Sequence, residues 1–148
     1  MSGDYEDMLT LPLLPVFHTE CEYAVPAAQA VPALTAFRDV VEENDFEIKL
    51  PVEVRFTAGD DLLLSPCNKG PVCYIGASPH GNTAEIFARF EPLMRHFGGR
   101  PHWGKHFTLT RGEIQSMYGT HYDDFVALRD TLDPDRVFAN SFLKELFG

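Results

Sequence analysis

The sequence predicts an α+β fold in which a mostly antiparallel sheet carries helices on one face. Stretches at 17–24, 50–58 and 72–78 have the alternating or short apolar patterns of strands, and three neighbouring strands of this kind favour antiparallel pairing. Between and after them, apolar residues recur at the spacing of amphipathic helices. These two patterns together define the fold class.

The composition indicates one folded domain. A chain of 148 residues can bury roughly two thirds of its unfolded surface, and 45% hydrophobic content with 12 Phe and 5 Tyr is typical of globular proteins. A net charge of −10 without clusters of Lys or Arg argues against a nucleic-acid partner. No apolar run is long enough for a membrane span, and the first residues, MSGDYEDM, lack signal-peptide features, so we expect a cytoplasmic protein.

The N-terminal part of the sequence predicts an extended segment followed by the first strand. Residues 1–16 contain LTLPLLPV, whose prolines fit neither a helix nor a sheet centre, so we expect an extended, poorly anchored segment there and a folded domain at 17–148. The first strand, 17–24, has one wetter face. The following helix buries Ala30, Leu34, Phe37 and Val41, tolerates Pro32 in its first turn, and ends at Asn44-Asp45.

The second strand, 50–58, places two charges on one face. Val52, Val54 and Phe56 alternate with Glu53 and Arg55, so the apolar face is expected to pack on helices. Glu53 and Arg55 then either face a cavity or form an ordinary surface pair on an exposed strand, which contributes little energy. The pattern alone leaves both interpretations open.

A third strand at 72–78 precedes a second long helix. Asn82 or Thr83 is expected to cap that helix, Pro92 to kink it, and Gly98-Gly99 to end it. Cys73 lies in the third strand, where a buried reduced thiol is expected, and the odd number of cysteines (Cys21, Cys67 and Cys73) without metal-type spacing argues against structural disulfides. The apolar stripe of the helix comprises Ile86, Phe87, Phe90, Leu93, Met94 and Phe97.

The C-terminal third predicts three further helices. Thr110 and Glu113 have the spacing of a capping box before a short helix that runs through Tyr118. Apolar residues at 125, 128 and 132 define the next helix, which ends before Asp133-Pro134. A last short helix in the tail is expected to turn three side chains inward: Phe142, Leu143 and Leu146.

The stretch Arg100-Pro101-His102-Trp103-Gly104-Lys105 is the main functional candidate. Charges set among apolar and aromatic residues are costly to bury without partners, which predicts a polar pocket formed with Glu53 and Arg55. His102 either lines that pocket or is a structural histidine, and Trp103 is expected to be a packing wall. His102, His106 and His80 are a weak metal set, because Pro101 and Gly104 disfavour the helix that ligands four apart require.

Five segments of the chain resemble, in order and spacing, the C-terminal region of the aldonolactone oxidases. This family includes L-gulono-1,4-lactone and D-arabinono-1,4-lactone oxidases and, more distantly, alditol oxidases. The resemblance implies the cap, or substrate-side, domain of a vanillyl-alcohol-oxidase-type flavoenzyme that oxidises a sugar lactone at a CH–OH group, with hydride transfer to flavin N5. The segments are FHTECEYAVP (17–26), PVEVRF (51–56), DDLLLSP (60–66), GGRPHWGK (98–105) and LDPDRVFANSFLKELFG (132–148).

The resemblance also implies roles for individual residues. It suggests Glu53, Arg55 and Lys105 as catalytic residues, and these three with Ser78 and His102 as substrate-binding residues. Arg55 and Lys105, with Gly104 as a close backbone approach, would contact the cofactor. Fixed positive charge from the two cations would stabilise the reduced flavin, and Glu53 is expected to position substrate rather than to act as the base.

One departure from the family concerns the substrate. Alditol oxidases carry a His-x-Thr pair where this chain has Gly76 and Ser78, which favours a sugar lactone over an open-chain polyol. The cofactor implied is FAD, but no segment of this chain offers its dinucleotide cradle, so we expect FAD to need a separate FAD-domain polypeptide. A non-catalytic module that binds a sugar acid or a partner protein is the alternative, and a homo-oligomer formed through the bare sheet face is a further expectation.

Overall fold

A four-stranded antiparallel sheet forms the centre of the protein. The computed structural model describes residues 19–48, 51–79 and 83–148. The strands are β1 (Cys21–Pro26), β2 (Glu53–Thr57), β3 (Val72–Ala77) and β4 (Arg100–Pro101), in the spatial order β2-β3-β1-β4. All pairings are antiparallel, which confirms the predicted fold class.

Five α-helices complete the fold. They are α1 (Ala30–Glu43), α2 (Thr83–His96), α3 (Arg111–Tyr118), α4 (Thr120–Leu132) and α5 (Ser141–Phe147), and a short 3-10 turn precedes α1. The predictions for residues 1–18, for His80 and for a cap at Asn82 lie outside the described residues. Within the described part of the chain, no helix has the length and apolarity needed to cross a bilayer.

The main core lies between one sheet face and helices α1 and α2. Alternate side chains of β1 and β3 point into it, as the period-two pattern predicts, and all are almost fully buried. Phe90 of α2 contacts Phe37 of α1, with ring centroids 4.8 Å apart, and Tyr23 of β1 at 6.2 Å. Each such aromatic side chain contributes about 1.5–3 kcal/mol through burial. This layer fixes β1, the strand next to the candidate site.

The apolar face of β2 does not pack on helices, which corrects the prediction. Val54 is 41% exposed and Phe56 is 68% exposed. The reason is the strand order, because β2 is an edge strand and α1 and α2 contact β1 and β3. Glu53 and Arg55 nevertheless share the opposite sheet face, since they pair with Gly76 and Tyr74 of β3.

Local signals at the helix ends are confirmed. Gly98 has a φ of 76°, and it ends α2 in a Schellman motif in which the Gly98 and Gly99 amides donate to the Arg95 and Met94 carbonyls. Thr110 and Glu113 form the predicted capping box at the start of α3. These turns set where the chain leaves each helix, and the first directs it into β4 and the stretch 100–105.

Helices α3, α4 and α5 enclose a second apolar cluster. Its buried members are Leu109, Ile114, Tyr118, Tyr122, Leu146 and Phe147. The Trp103 ring stacks on Tyr118 at 5.8 Å and its indole N–H donates to the Leu64 carbonyl at 2.7 Å, so Trp103 is a packing wall. Phe142 is not turned inward as predicted but is 40% exposed, because the register of α5 buries Leu146 and Phe147 instead.

The second sheet face is only partly bare. The loop between β2 and β3 folds over it and buries Cys67 against Ala24, Val72 and Tyr74. The Cys67 sulfur lies 3.6 Å from the Tyr74 hydroxyl. The expectation of an uncovered face is therefore corrected, and what stays accessible is the end of the face near Glu22 and Gly76. All three cysteines are buried and unpaired, as predicted.

A candidate active site on the polar face of the sheet

Strand register brings the predicted charges together. Directly paired residues of an antiparallel sheet project to the same side. Glu53 pairs with Gly76, which pairs with Glu22, so two carboxylates flank a glycine across three strands. Arg55 pairs with Tyr74 in the adjacent row. The sheet therefore builds a patch of alternating charge at its accessible end.

A small cleft opens in this patch. It has a volume of about 80 Å³. A Cβ placed on Gly76 would come within 3.5 Å of Glu53 Cβ and 3.6 Å of Glu22 Cγ, so the glycine forms a floor that any larger side chain would fill. The lining residues are Glu20, Glu22, Pro51, Glu53, Gly76, Ala77, Ser78 and Lys105.

Arg55 is held by two carboxylates and an aromatic ring. Its Nη2 donates to Glu22 Oε1 at 2.5 Å, its Nε lies 2.9 Å from Glu53 Oε1, and its guanidinium carbon is 5.0 Å from the Tyr74 ring centre. The hydrogen bond to Glu22 is the main cause that raises the pKa of Arg55. Arg55 is therefore a fixed cation beside two carboxylates that line the cleft, and its side chain is still 49% exposed.

Lys105 reaches the same cleft from the loop after β4. Its ammonium donates to Glu20 Oε2, and Ser78 Oγ donates to Glu20 Oε1 at 3.2 Å. The backbone is fixed as well, because the Lys105 amide donates to the His102 carbonyl and the His106 amide to the Glu20 carbonyl. The structure thus places Ser78, Lys105 and Glu53 in the lining of one cleft, and Arg55 contacts two of its lining carboxylates, Glu22 and Glu53.

His102 lies beside this patch, and a hydrogen bond from the backbone fixes the tautomer of its ring. The Gly104 amide donates to His102 Nδ1 at 3.1 Å, so in the neutral ring the proton lies on Nε2. That atom is 3.8 Å from Glu22 Oε2. Gly104 is also close to His102 in space, since a Cβ there would lie 3.3 Å from the ring. Gly104 therefore supports the histidine, an arrangement that the sequence did not suggest.

The two histidines of the stretch do not converge on a metal. The His106 ring stacks on Phe87 of α2 at 5.1 Å, whereas the His102 ring contacts Tyr74 on the polar face at 6.0 Å. Among the described residues, no group of three His, Cys, Asp or Glu side chains is arranged to hold a metal ion.

Arg100 connects the sheet to the second cluster rather than lining the cleft. It is 4% exposed, donates to Asn68 Oδ1 and to the Ser65 and Met117 carbonyls, and lies 4.6 Å from the Tyr118 ring centre. Its burial lowers its pKa. The guanidinium thus holds the stretch 100–105 in place.

Glu22 is the residue that sequence reasoning missed. It is 3% exposed on the central strand β1, and its Oε2 has no hydrogen-bond partner among the described residues. Its place on the wetter face of the first strand was the available signal. That signal was not sufficient, because the contact with Arg55 depends on the pairing of β1 and β2 with β3.

Carboxylates compensate the positive charges at the cleft. Arg55 and Lys105 supply two cations, and each is paired with a carboxylate. Glu20, Glu22 and Glu53 supply three anions, so these five groups carry a formal charge of −1. Such a cleft offers many acceptors and donors to a hydroxyl-rich, uncharged ligand and disfavours an added carboxylate.

The relatives found in the comparisons are named as L-gulono-1,4-lactone dehydrogenases and L-gulonolactone oxidases, which are oxidoreductases. Within that class, the chain belongs to the D-arabinono-1,4-lactone oxidase family, whose match covers residues 4–146. The resemblance seen in the sequence motifs is therefore confirmed.

Individual relatives agree with this assignment. The chain is 38% identical over 132 residues to L-gulono-1,4-lactone dehydrogenase of Mycobacterium tuberculosis, which covers 88% of this chain and 31% of the relative. It is 35% identical over 146 residues to mouse L-gulonolactone oxidase, with 89% and 33% covered. Alditol oxidase from a Streptomyces species is 32% identical over 130 residues, with 86% and 31% covered. The chain thus spans about a third of the length of these relatives.

Proposed function

We propose that this chain supplies the substrate-side, or cap, domain of an FAD-dependent oxidoreductase that oxidises a sugar lactone at a CH–OH group. The observation that supports the proposal is that Glu53 and Lys105 line one cleft and that Arg55 pairs with two of its lining carboxylates, in a member of this family. The three residues come from an edge strand and a distant loop, and separate surface roles would not require all three to contact the lining of one cleft.

The cleft fits one edge of a flavin rather than the whole cofactor. Pockets that enclose a drug-sized ligand begin at about 300 Å³, whereas this cleft has about 80 Å³. Lys105 lies in its lining and Arg55 contacts two of the lining carboxylates, and their side chains are 33% and 49% exposed. These two donors would meet the oxygen-bearing edge of the ring, and the rest of FAD would be held by a separate polypeptide or segment.

Arg55 and Glu53 have different roles around the substrate carbon. Bound FAD supplies the acceptor for the hydride, at N5 of its ring. Arg55 presents its planar donors to lactone oxygens, and Glu53, whose side chain is 60% exposed, accepts a hydrogen bond from a hydroxyl while it helps to orient Arg55. Glu53 positions the substrate, because its carboxylate already pairs with Nε of Arg55 at 2.9 Å.

Gly76 favours a ring-closed substrate. The space above it lies between two carboxylates and would be filled by an imidazole at this position. Ser78, which donates to Glu20, keeps one hydroxyl at the cleft wall. We therefore propose a sugar lactone over an open-chain alditol as the substrate.

An apolar groove supports the alternative of a module that binds a partner protein. It has a volume of about 290 Å³ between α4 and α5. Leu132 is 73% exposed and Phe138 is 82% exposed beside it. Exposed apolar side chains of this size grouped on one surface are typical of interaction sites.

A chimera tests the proposal. The C-terminal third of the M. tuberculosis L-gulono-1,4-lactone dehydrogenase is replaced by this chain, and flavin absorbance and lactone oxidation are measured. Lys105→Ala and Arg55→Ala are each expected to lower kcat/KM by about 100-fold or more, the usual loss for a charge placed at a developing negative charge. Lys69→Ala, which removes an exposed lysine outside the cleft, is the matched control.

The two candidate functions give different results in this experiment. A chimera that binds flavin and oxidises lactone equally well with and without Lys105 contradicts the proposed function. A chimera that fails to bind flavin or to turn over, together with binding of a partner protein by the isolated chain, supports the module.

A further inference from the structure

We propose that Glu22 is the positioning residue that holds Arg55 in its working orientation, an inference that rests on the proposed function of the cleft. The sequence motifs draw attention to Glu53 and Arg55, which lie on one strand. The structure adds an anion from another strand that contacts the same guanidinium.

The Glu22 carboxylate crosses β3 at a glycine. Glu22 lies on β1 and Arg55 on β2, and β3 separates the two strands. In β3, Gly76 pairs with Glu22 and Tyr74 pairs with Arg55. A Cβ on Gly76 would lie 3.6 Å from Glu22 Cγ and 3.8 Å from its Oε1, which is ordinary van der Waals contact, so a side chain larger than a methyl group would compete with the carboxylate for this space. The Glu22 carboxylate extends over this glycine to Nη2 of Arg55 at 2.5 Å.

Glu22 and Glu53 hold the guanidinium with unequal strength. The Glu53 side chain is 60% exposed and contacts Nε at 2.9 Å, so water screens that pair and its contribution is small. The Glu22 side chain is 3% exposed and belongs to the central strand of the sheet. Charge-assisted hydrogen bonds are short and strong where water is excluded. Glu22 is therefore the rigid anchor, and Glu53 is free to turn toward a ligand.

The second oxygen of Glu22 indicates a role beyond stability. Oε2 is buried without a hydrogen-bond partner among the described residues, and a buried carboxylate oxygen left unpaired is costly. The nearest donor is His102 Nε2 at 3.8 Å, whose proton the Gly104 amide directs toward it. A small rotation of the ring closes this gap. Glu22 is thus placed to connect Arg55, from one side of the cleft, with His102 from the other.

NMR of the isolated chain tests the contact without substrate or flavin. In the wild-type protein at low temperature, the Nη protons of Arg55 are expected to be resolved, because the bond to Glu22 slows rotation of the guanidinium. They should also show a nuclear Overhauser effect to the Cγ protons of Glu22. Glu22→Gln is expected to average these signals, whereas Glu53→Gln leaves them resolved, and Arg55→Lys assigns them by removing them.

The outcomes separate this proposal from the proposed function. Absence of the Overhauser effect in the wild-type chain overturns the proposal, and this measurement does not depend on the folding of any variant. Loss of the resolved signals in Glu53→Gln but not in Glu22→Gln also overturns it. In the chimera, Glu22→Gln should lower kcat/KM by up to about 100-fold, the cost of a misplacement of about 1 Å. Resolved signals with an inactive chimera keep the contact and reject the oxidase function.

Discussion

Replacing Tyr23 by Phe is expected to destabilise the protein more than replacing Tyr122 by Phe, although both changes remove one buried hydroxyl. Tyr23 is fully buried, and its hydroxyl donates to Glu91 Oε2 at 2.6 Å. Tyr122 is 4% exposed, and its hydroxyl donates to the Leu146 carbonyl, also at 2.6 Å. Distance and burial are thus matched, and the acceptor differs in charge.

The magnitude follows from the acceptor. A hydrogen bond to a charged group contributes about 1.5–3 kcal/mol, and one between neutral groups about 0.5–1.5 kcal/mol. Glu91 also accepts bonds from the backbone and hydroxyl of Thr108, so it anchors the segment that follows Lys105. We expect Tyr23→Phe to cost about 2 kcal/mol, or about 4–8 °C in Tm, and Tyr122→Phe to cost about half as much.

Urea unfolding followed by tryptophan fluorescence measures both variants. Trp103 is the single tryptophan of the chain, and it packs against the second apolar cluster. The free energies are compared at equal m-values, so that a change in the unfolded state is not mistaken for a lost bond. Equal losses in the two variants, or a smaller loss in Tyr23→Phe, would refute the role assigned to Glu91.

Three further predictions concern helix ends and pH. Gly98→Ala should lower the free energy of unfolding by about 1–2 kcal/mol, because φ is 76° at this position. Gly112→Ala lies inside α3, where a Cβ meets nothing within 4 Å, and should raise the free energy of unfolding, by about 1 kcal/mol at most. Thermal unfolding compares the two variants, and an unchanged stability of Gly98→Ala would argue against the Schellman motif. Thr110→Ala should cost about 1 kcal/mol through loss of the cap. Hydrogen bonds from Thr110 lower the pKa of Glu113, so this contribution to stability is present above the ordinary pKa of 4.5 and is lost as pH falls through the lower pKa of the folded state. Urea titrations across that pH range should show a smaller fall in the free energy of unfolding for the variant than for the wild-type protein. Burial raises the pKa of Tyr118 from 10.0 to about 12, so its contribution to stability is complete below pH 10.0 and is lost as pH rises toward 12. The free energy of unfolding should therefore fall less steeply with rising pH in Tyr118→Phe than in the wild-type protein. An unchanged slope would contradict the burial of the ring.

Features set by neighbouring residues were predictable from the sequence. The stripes of α1 and α2, the stop at Gly98-Gly99 and the capping box at Thr110 depend on backbone geometry within one or two turns. The alternation of Glu53 with Val54 likewise placed both site residues of β2 on one face.

Features set by strand order were not predictable. The exposure of Val54 and Phe56 follows from the edge position of β2, and the contact of Glu22 with Arg55 follows from the pairing of β1 and β2 with β3. The two-residue strand β4 is too short to give a periodic pattern. In each case the decisive neighbour lies more than fifteen residues away in the chain.

Strand β2, which carries Glu53 and Arg55, lies at the edge of the sheet. Among the described strands, β2 pairs with β3 alone, so its outer row of backbone amides and carbonyls is open to solvent or to another chain. Glu53 and Arg55 therefore lie on an edge strand, the part of the sheet that opens most easily. A polypeptide that docked along that margin as a fifth strand would stiffen the two side chains without touching either of them.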